Sequence, residues 1–123
     1  MITAILDLKT YIINNVGIDC TIGIDEKDTD TYIRIIPDQD FDFYKFNEKV
    51  AGTNFPVTIE INTDRENTIK GFEILEKLVR KLNQYDDNNG SSLLESGSPE
   101  YTENKFKISL VYNLKTIIQD TEA

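Results

Sequence analysis

From Phe55 to Ile61 apolar side chains recur at every second position, with Phe55, Val57, Ile59 and Ile61 alternating with Thr58, Glu60 and Asn62. A period of two places one set of side chains on one face of a strand. The period then changes. Ile69, Phe72, Leu75, Leu78, Val79 and Leu82 follow at three- and four-residue spacing, with Lys70, Glu73, Lys77 and Lys81 between them, which predicts an amphipathic helix. Asn62, Thr63 and Asp64 offer capping oxygens and Arg65, Glu66 and Asn67 a polar first turn, so the helix is expected to begin there. Neither element can hide its apolar side alone, and each is the natural cover for the other.

The same reading extends to the rest of the chain. Ile2, Ile5, Leu6, Leu8, Ile12, Ile13 and Val16 suit a first helix, with Asn14, Asn15 and Gly17 as its stop. Ile18, Cys20, Ile22 and Ile24 predict a strand, Asp25 to Asp30 a polar turn, and Tyr32 to Ile36 a second strand ended by Pro37. The short connection predicts that these two strands form an antiparallel hairpin. Phe106, Ile108, Leu110, Tyr112 and Leu114 alternate with polar residues in a last strand from about Glu103 to Lys115. Two long stretches remain. Residues 37–54 read as a long loop or a loop holding one short strand, and residues 85–102, rich in Asn, Ser and Gly, read as a mobile loop.

The expected architecture is a single α+β domain over residues 1–123, a two-layer sandwich in the order α-β-β-β-α-β. Its sheet is four-stranded and mixed, with two helices on one face and the last strand parallel to the strand before the central helix.

Charge changes the picture mainly by its distribution. The chain carries a formal charge of −9. Nine acids face three bases between Asp19 and Glu48, and five acids face none between Asp86 and Glu103. That disfavours a nucleic-acid-binding surface, which needs clustered Lys and Arg. No apolar run approaches the roughly 20 residues of a membrane span. The first ten residues carry Asp7 and lack the basic start of a signal peptide, so a cytoplasmic origin is the default expectation.

Candidate chemistry is sparse. Histidine is absent, which removes the commonest general base and metal ligand. The single cysteine, Cys20, alternates with isoleucines and reads as a buried small hydrophobe. Asp25, Asp28 and Asp30 do not fit the calcium-loop spacing, and no Gly-rich phosphate loop is present. The expectation is therefore no catalytic residues, no metal and no cofactor. What stands out is Phe41, Phe43, Tyr44 and Phe46 among acids, with aromatics on both parities of an extended segment. These four are candidates for a subunit or partner contact. Asp86, Asp87 and Glu95 are candidates for an acidic surface facing a neighbour or a lumen.

From Ile2 to Ile118, the order of elements and the placement of loops resemble the tail terminator (tail completion) proteins of long-tailed bacteriophages. The run Phe106, Lys107, Ile108, Ser109, Leu110, Val111 and Tyr112 looks like that family's closing strand, and Gly71 with Phe72 fits a recurrent Gly-Phe opening of the second helix. The resemblance implies a structural virion protein assembled in the host cytoplasm. It would form a homo-hexameric ring that caps the tail tube, docks the head connector and lets DNA pass through an acidic lumen. No catalytic motif comes with it. The rival reading from another class is a small acidic secretion-type chaperone or adaptor, usually dimeric, that binds a partner chain.

Overall fold

The computed structural model describes residues 1–23, 30–89 and 92–117, and over 86–89 and 92–96 the backbone alone. Helix α1 (Ile2–Val16) stops at Gly17, whose φ of 76° is left-handed and whose N–H donates to the Ile13 carbonyl at 3.2 Å. Strands β1 (Cys20–Ile22), β2 (Tyr32–Ile36), β3 (Asp42–Phe46) and β4 (Lys49–Asp64) follow. A single 3₁₀ turn then leads into α2 (Thr68–Asn89), β5 (Ser92–Tyr101) and β6 (Lys105–Ile117). The result is a mixed α+β fold in which six strands make one open, mostly antiparallel sheet in the order β1-β2-β4-β6-β5, with β3 on β4.

The core sits between the helices and one face of the sheet. Ile5, Leu8, Ile12 and Val16 of α1 and Ile74, Leu78, Leu82 and Tyr85 of α2 pack on the inward parity of the strands. That parity is Ile33 and Ile35, then Phe55 through Ile61, then Phe106 through Leu114, each at alternate positions as the pattern predicts. Cys20 is buried in the same cluster. At about 25 cal/mol per Å² of apolar surface, each such Ile or Leu contributes roughly 1.5–3 kcal/mol.

The sheet differs from expectation in four ways. It has six strands, not four. Of the two readings of 37–54, the one holding a short strand comes nearer: β3 lies there, and it forms a hairpin with the start of β4 closed by Asn47 and Glu48, with φ of 52° and 64°. Two successive positive φ values are the mark of the turn whose twist suits a two-residue hairpin. The described residues of 85–102 depart from the expected loop, since α2 continues to Asn89 and β5 pairs with β6. The pairing satisfies the outer backbone edge of β6, and register shifts between Leu93 and Glu95 and between Ser96 and Pro99 absorb the irregular residues.

The strand directions also differ. β1 and β2 pair in parallel, with Cys20 opposite Ile33 and Ile22 opposite Ile35. β1 is only three residues long, about 10 Å, so the nine-residue connection can carry the chain back beside its start. The predicted turn there falls mostly in residues 24–29, outside the described set. β6 is antiparallel to β4, not parallel, because α2 returns the chain to β5 and β6 then folds back between β5 and β4.

The central helix starts later than predicted and is rotated. Asn62 and Thr63 are buried strand residues, and Asp64 makes no side-chain cap bond. Thr68 instead donates to the Arg65 carbonyl at 2.8 Å. The inward stripe is Gly71, Ile74, Leu78, Leu82 and Tyr85, which leaves Ile69 and Phe72 exposed and Leu75 and Val79 on a flank. α1 likewise leaves Ile2, Leu6 and Ile13 outside.

Candidate functional site

Between Ile36 and Phe55 the chain builds an arm. β2 and β3 lie end to end along the same edge of β4, β2 against Thr58–Asn62 and β3 against Lys49–Asn54. The arm is the β3–β4 hairpin. Phe41 and Phe43 meet edge to face at 5.9 Å, and Phe41 meets Phe55 at 5.9 Å, so the arm's base is fastened to the rim of the core. Tyr44 lies on the opposite face. Its hydroxyl donates to the Thr116 carbonyl at 3.1 Å, and Lys115 Nζ stands 5.3 Å from its ring. The ring covers Gly52, its cross-strand partner, where a Cβ would collide with Tyr44 and with the Thr116 carbonyl. A register shift after Tyr44 leaves Ala51 as a bulge, and the Thr53 and Thr116 hydroxyls join β4 to β6 below it.

The four predicted contact aromatics therefore divide. Tyr44 is half-buried and engaged within its own chain, whereas Phe41, Phe43 (53% exposed) and Phe46 (72% exposed) meet solvent, with Val50 beside them. Lys45 pairs across the hairpin with Val50, and Phe46 with Lys49. Each face of the tip thus carries one apolar residue and one lysine.

A second apolar surface lies on the other side of the sheet. Tyr11 donates from Oη to the Lys81 carbonyl at 2.6 Å and stacks on Tyr85, which fixes the flank of α2 that meets α1. Phe72, Leu75 and Val79 project from the opposite flank, towards β5. Leu75, Glu76, Val79 and Arg80 line a shallow depression there. Phe72 stacks on Phe106 at 5.5 Å, and a Cβ on Gly71 would stand 2.7 Å from the same ring. Phe106 in turn meets Tyr101 of β5 at 4.9 Å. Of the predicted acidic surface, Asp86 and Asp87 fall in the last turn of α2 and Glu95 in β5; their side chains are outside the described residues.

Sequence reasoning placed Phe72, Leu75 and Val79 in one core stripe; Leu75 and Val79 do pack against the edge of the core, whereas Phe72 is exposed. The signal was present. Ile74, Leu78, Leu82 and Tyr85 continue at four- and three-residue steps and leave Phe72, Leu75 and Val79 as a surplus stripe.

The sheet face away from the helices carries the one ion pair that is largely shielded among the described residues. Arg34 donates from Nε at 3.1 Å and from Nη2 at 2.7 Å to the same oxygen of Glu60. Arg34, Glu60 and Ser109 lie in one row across β2, β4 and β6. Asn62 Oδ1, in the next row, is buried with no hydrogen-bond partner. Nothing in this row pairs a nucleophile with a base. Among the described residues no three His, Cys, Asp or Glu side chains gather to hold a metal ion, and no helix is long and apolar enough to cross a membrane. The titratable groups with displaced pKa values are two tyrosines: burial pushes Tyr11 up, and burial followed by the nearby Asp7 and Tyr11 pushes Tyr85 up. Their place between two helices is a packing position.

No protein-family model matches the chain, and no curated protein sequence matches it.

Proposed function

We propose that this chain is a structural subunit that assembles with copies of itself into a closed ring, as the resemblance to phage tail terminators implies. In that reading the ring is a hexamer of the virion tail that caps the tail tube and meets the head connector. The observation that carries the reading is the presence of exposed aromatic side chains at two unlike places on opposite lateral sides of one sheet. The aromatic arm lies on the β2 side of β4, and Phe72, with the half-buried Leu75 and Val79 beside it, lies on the flank of α2 towards β5. A two-fold dimer needs a single self-complementary patch, whereas a head-to-tail contact that closes into a ring needs two different ones. Apolar residues exposed in this number on a small domain mark interaction surfaces.

The acidic balance of −9 fits a lumen that DNA passes without being gripped, since like charge repels phosphate. Native mass spectrometry and negative-stain imaging of the purified chain test the proposal. A ring of six copies supports it. A stable dimer favours the chaperone-like alternative, and a monomer at every concentration up to the millimolar range overturns self-assembly.

A further inference from the structure

We propose that two copies of this chain meet about a two-fold axis on the helix side of the sheet. The free flank of α1 in one copy sits on the helix-side aromatics of the β3–β4 arm in the other. The contact does not rest on the ring reading; it joins copies in pairs whether or not rings form.

Two neighbouring elements build the surface. Tyr11 turns one flank of α1 towards α2, where it bonds to the Lys81 carbonyl and stacks on Tyr85. At about 100° per residue, Ile2, Leu6 and Ile13 fall on the opposite flank, and all three are exposed. α2 lies over β4, β6 and β5, so that flank of α1 faces the β1 and β3 side of the sheet. Met1, Thr3 and Ala4 stand beside Leu114 to Ile117, which ladder with Phe55 to Gly52, so α1 begins at the arm's end of the sheet. On the arm, Phe41 meets the core residue Phe55, which sets its ring on the helix side. Phe43 meets Phe41, and Val50 pairs with Lys45, so both keep that parity.

Shape and area name the occupant. α1 stands above the sheet as a ridge, and the arm lies beside it as a floor. A two-fold axis between them sets each ridge on the other copy's floor, the reciprocal match that a two-fold contact requires. The lengths agree, since Ile2 to Ile13 spans about 16 Å of helix and Phe41 to Lys45 about 14 Å of strand. The six apolar residues range from 39% exposed at Ile13 to 78% at Ile2, which leaves roughly 600 Å² per copy open to water. Two such surfaces come to about 1,200 Å², the lower bound of a stable specific interface before any polar rim is counted. Lys9, the charged residue on this flank, is half-buried, so apolar side chains dominate it.

Leu6 and Phe43 are exposed, so a charge at either leaves the core packing in place, which thermal unfolding of each variant checks. Sedimentation velocity is run on the wild type, on Leu6→Glu, on Phe43→Lys and on an equimolar mixture of the two variants. The wild type is expected to show a two-copy unit, alone or repeated in a larger assembly. Each variant alone is expected to raise the dissociation constant of that unit at least tenfold, because a charge then faces an apolar partner twice per pair. The mixture is expected to recover most of the affinity, since one half of each mixed pair is wild type and the other joins opposite charges. Association that Phe43→Lys leaves unchanged, or a mixture that pairs no better than either variant alone, overturns the contact. A ring of six indifferent to both changes overturns it and leaves the ring reading standing. Pairs that these changes dissociate, in a chain that forms no ring, uphold it while the ring reading falls. A wild type that stays monomeric up to the millimolar range overturns both.

Discussion

The two halves of β4 make an internal comparison, since one continuous strand serves two purposes. From Phe55 to Thr63 it lies in the middle of the sheet, flanked by β2 and β6, and its alternate side chains are sealed under α1 and α2. From Lys49 to Asn54 it contributes no residue to the hydrophobic core cluster, and its partner β3 leaves Phe43 and Phe46 in water. The backbone geometry is the same in both. What differs is how far the side chains are covered, and that decides whether an aromatic stabilises the fold or stays in water.

Substitutions along this one strand separate the two roles. The largest loss is expected from Ile59→Ala, which empties a fully buried site at the centre and should cost about 4 kcal/mol in urea unfolding. Glu60→Ala should follow at roughly 2–3 kcal/mol, because it removes a carboxylate that accepts two charge-assisted hydrogen bonds from the shielded Arg34. Gly52→Val is expected to cost roughly 2 kcal/mol by expelling the Tyr44 ring from the arm, read as a lower unfolding midpoint together with a changed tyrosine near-UV signal. Phe46→Ser should move the midpoint by less than about 0.5 kcal/mol, as expected of a side chain that meets solvent, and under the proposed ring assembly it should also weaken association. If Phe46→Ser instead destabilises the monomer as Ile59→Ala does, the contrast between the halves collapses.

The smallest effect concerns pH and the helix pair that covers only one half. Tyr85 has a raised pKa in the fold, from burial and then from Asp7 and Tyr11. A raised folded value favours the neutral hydroxyl, so its contribution is complete below the ordinary tyrosine value of 10.0 and is lost as pH climbs through the folded value. Thermal scans should show stability falling above about pH 10, and less steeply in Tyr85→Phe.

Much of the inner half was legible because burial imposes period. α1 and β2 lie where the apolar spacing places them, and the inward residues of β4 and β6 keep strict alternation. β5 was illegible for a physical reason. It is an edge strand whose ladder to β6 supplies the order that its Ser, Gly and Pro composition denies, so tertiary pairing overrides local preference. Direction failed at β1 and at β6 for a related reason: local pattern fixes which face is buried but not which neighbour a strand finds. At the candidate site, parity correctly implied aromatics on two sides of the 41–46 segment. It did not reveal that Gly52 makes room for Tyr44, because that close approach exists only once β3 has paired with β4.

Where β2 gives way to β3, the ladder along that edge of β4 stops at Thr58 and resumes at Asn54. Pro37 and Pro56 stand at this break, and neither has an N–H to donate. A side-chain clasp spans it, with Thr58 donating to Asp38 at 2.7 Å and Gln39 to Thr58 at 3.1 Å. On the other edge the ladder to β6 continues without interruption from Gly52 to Asp64. The arm is thus stiff along the sheet and compliant across one joint, so a change in its angle strains a clasp of side chains and leaves the core ladder intact.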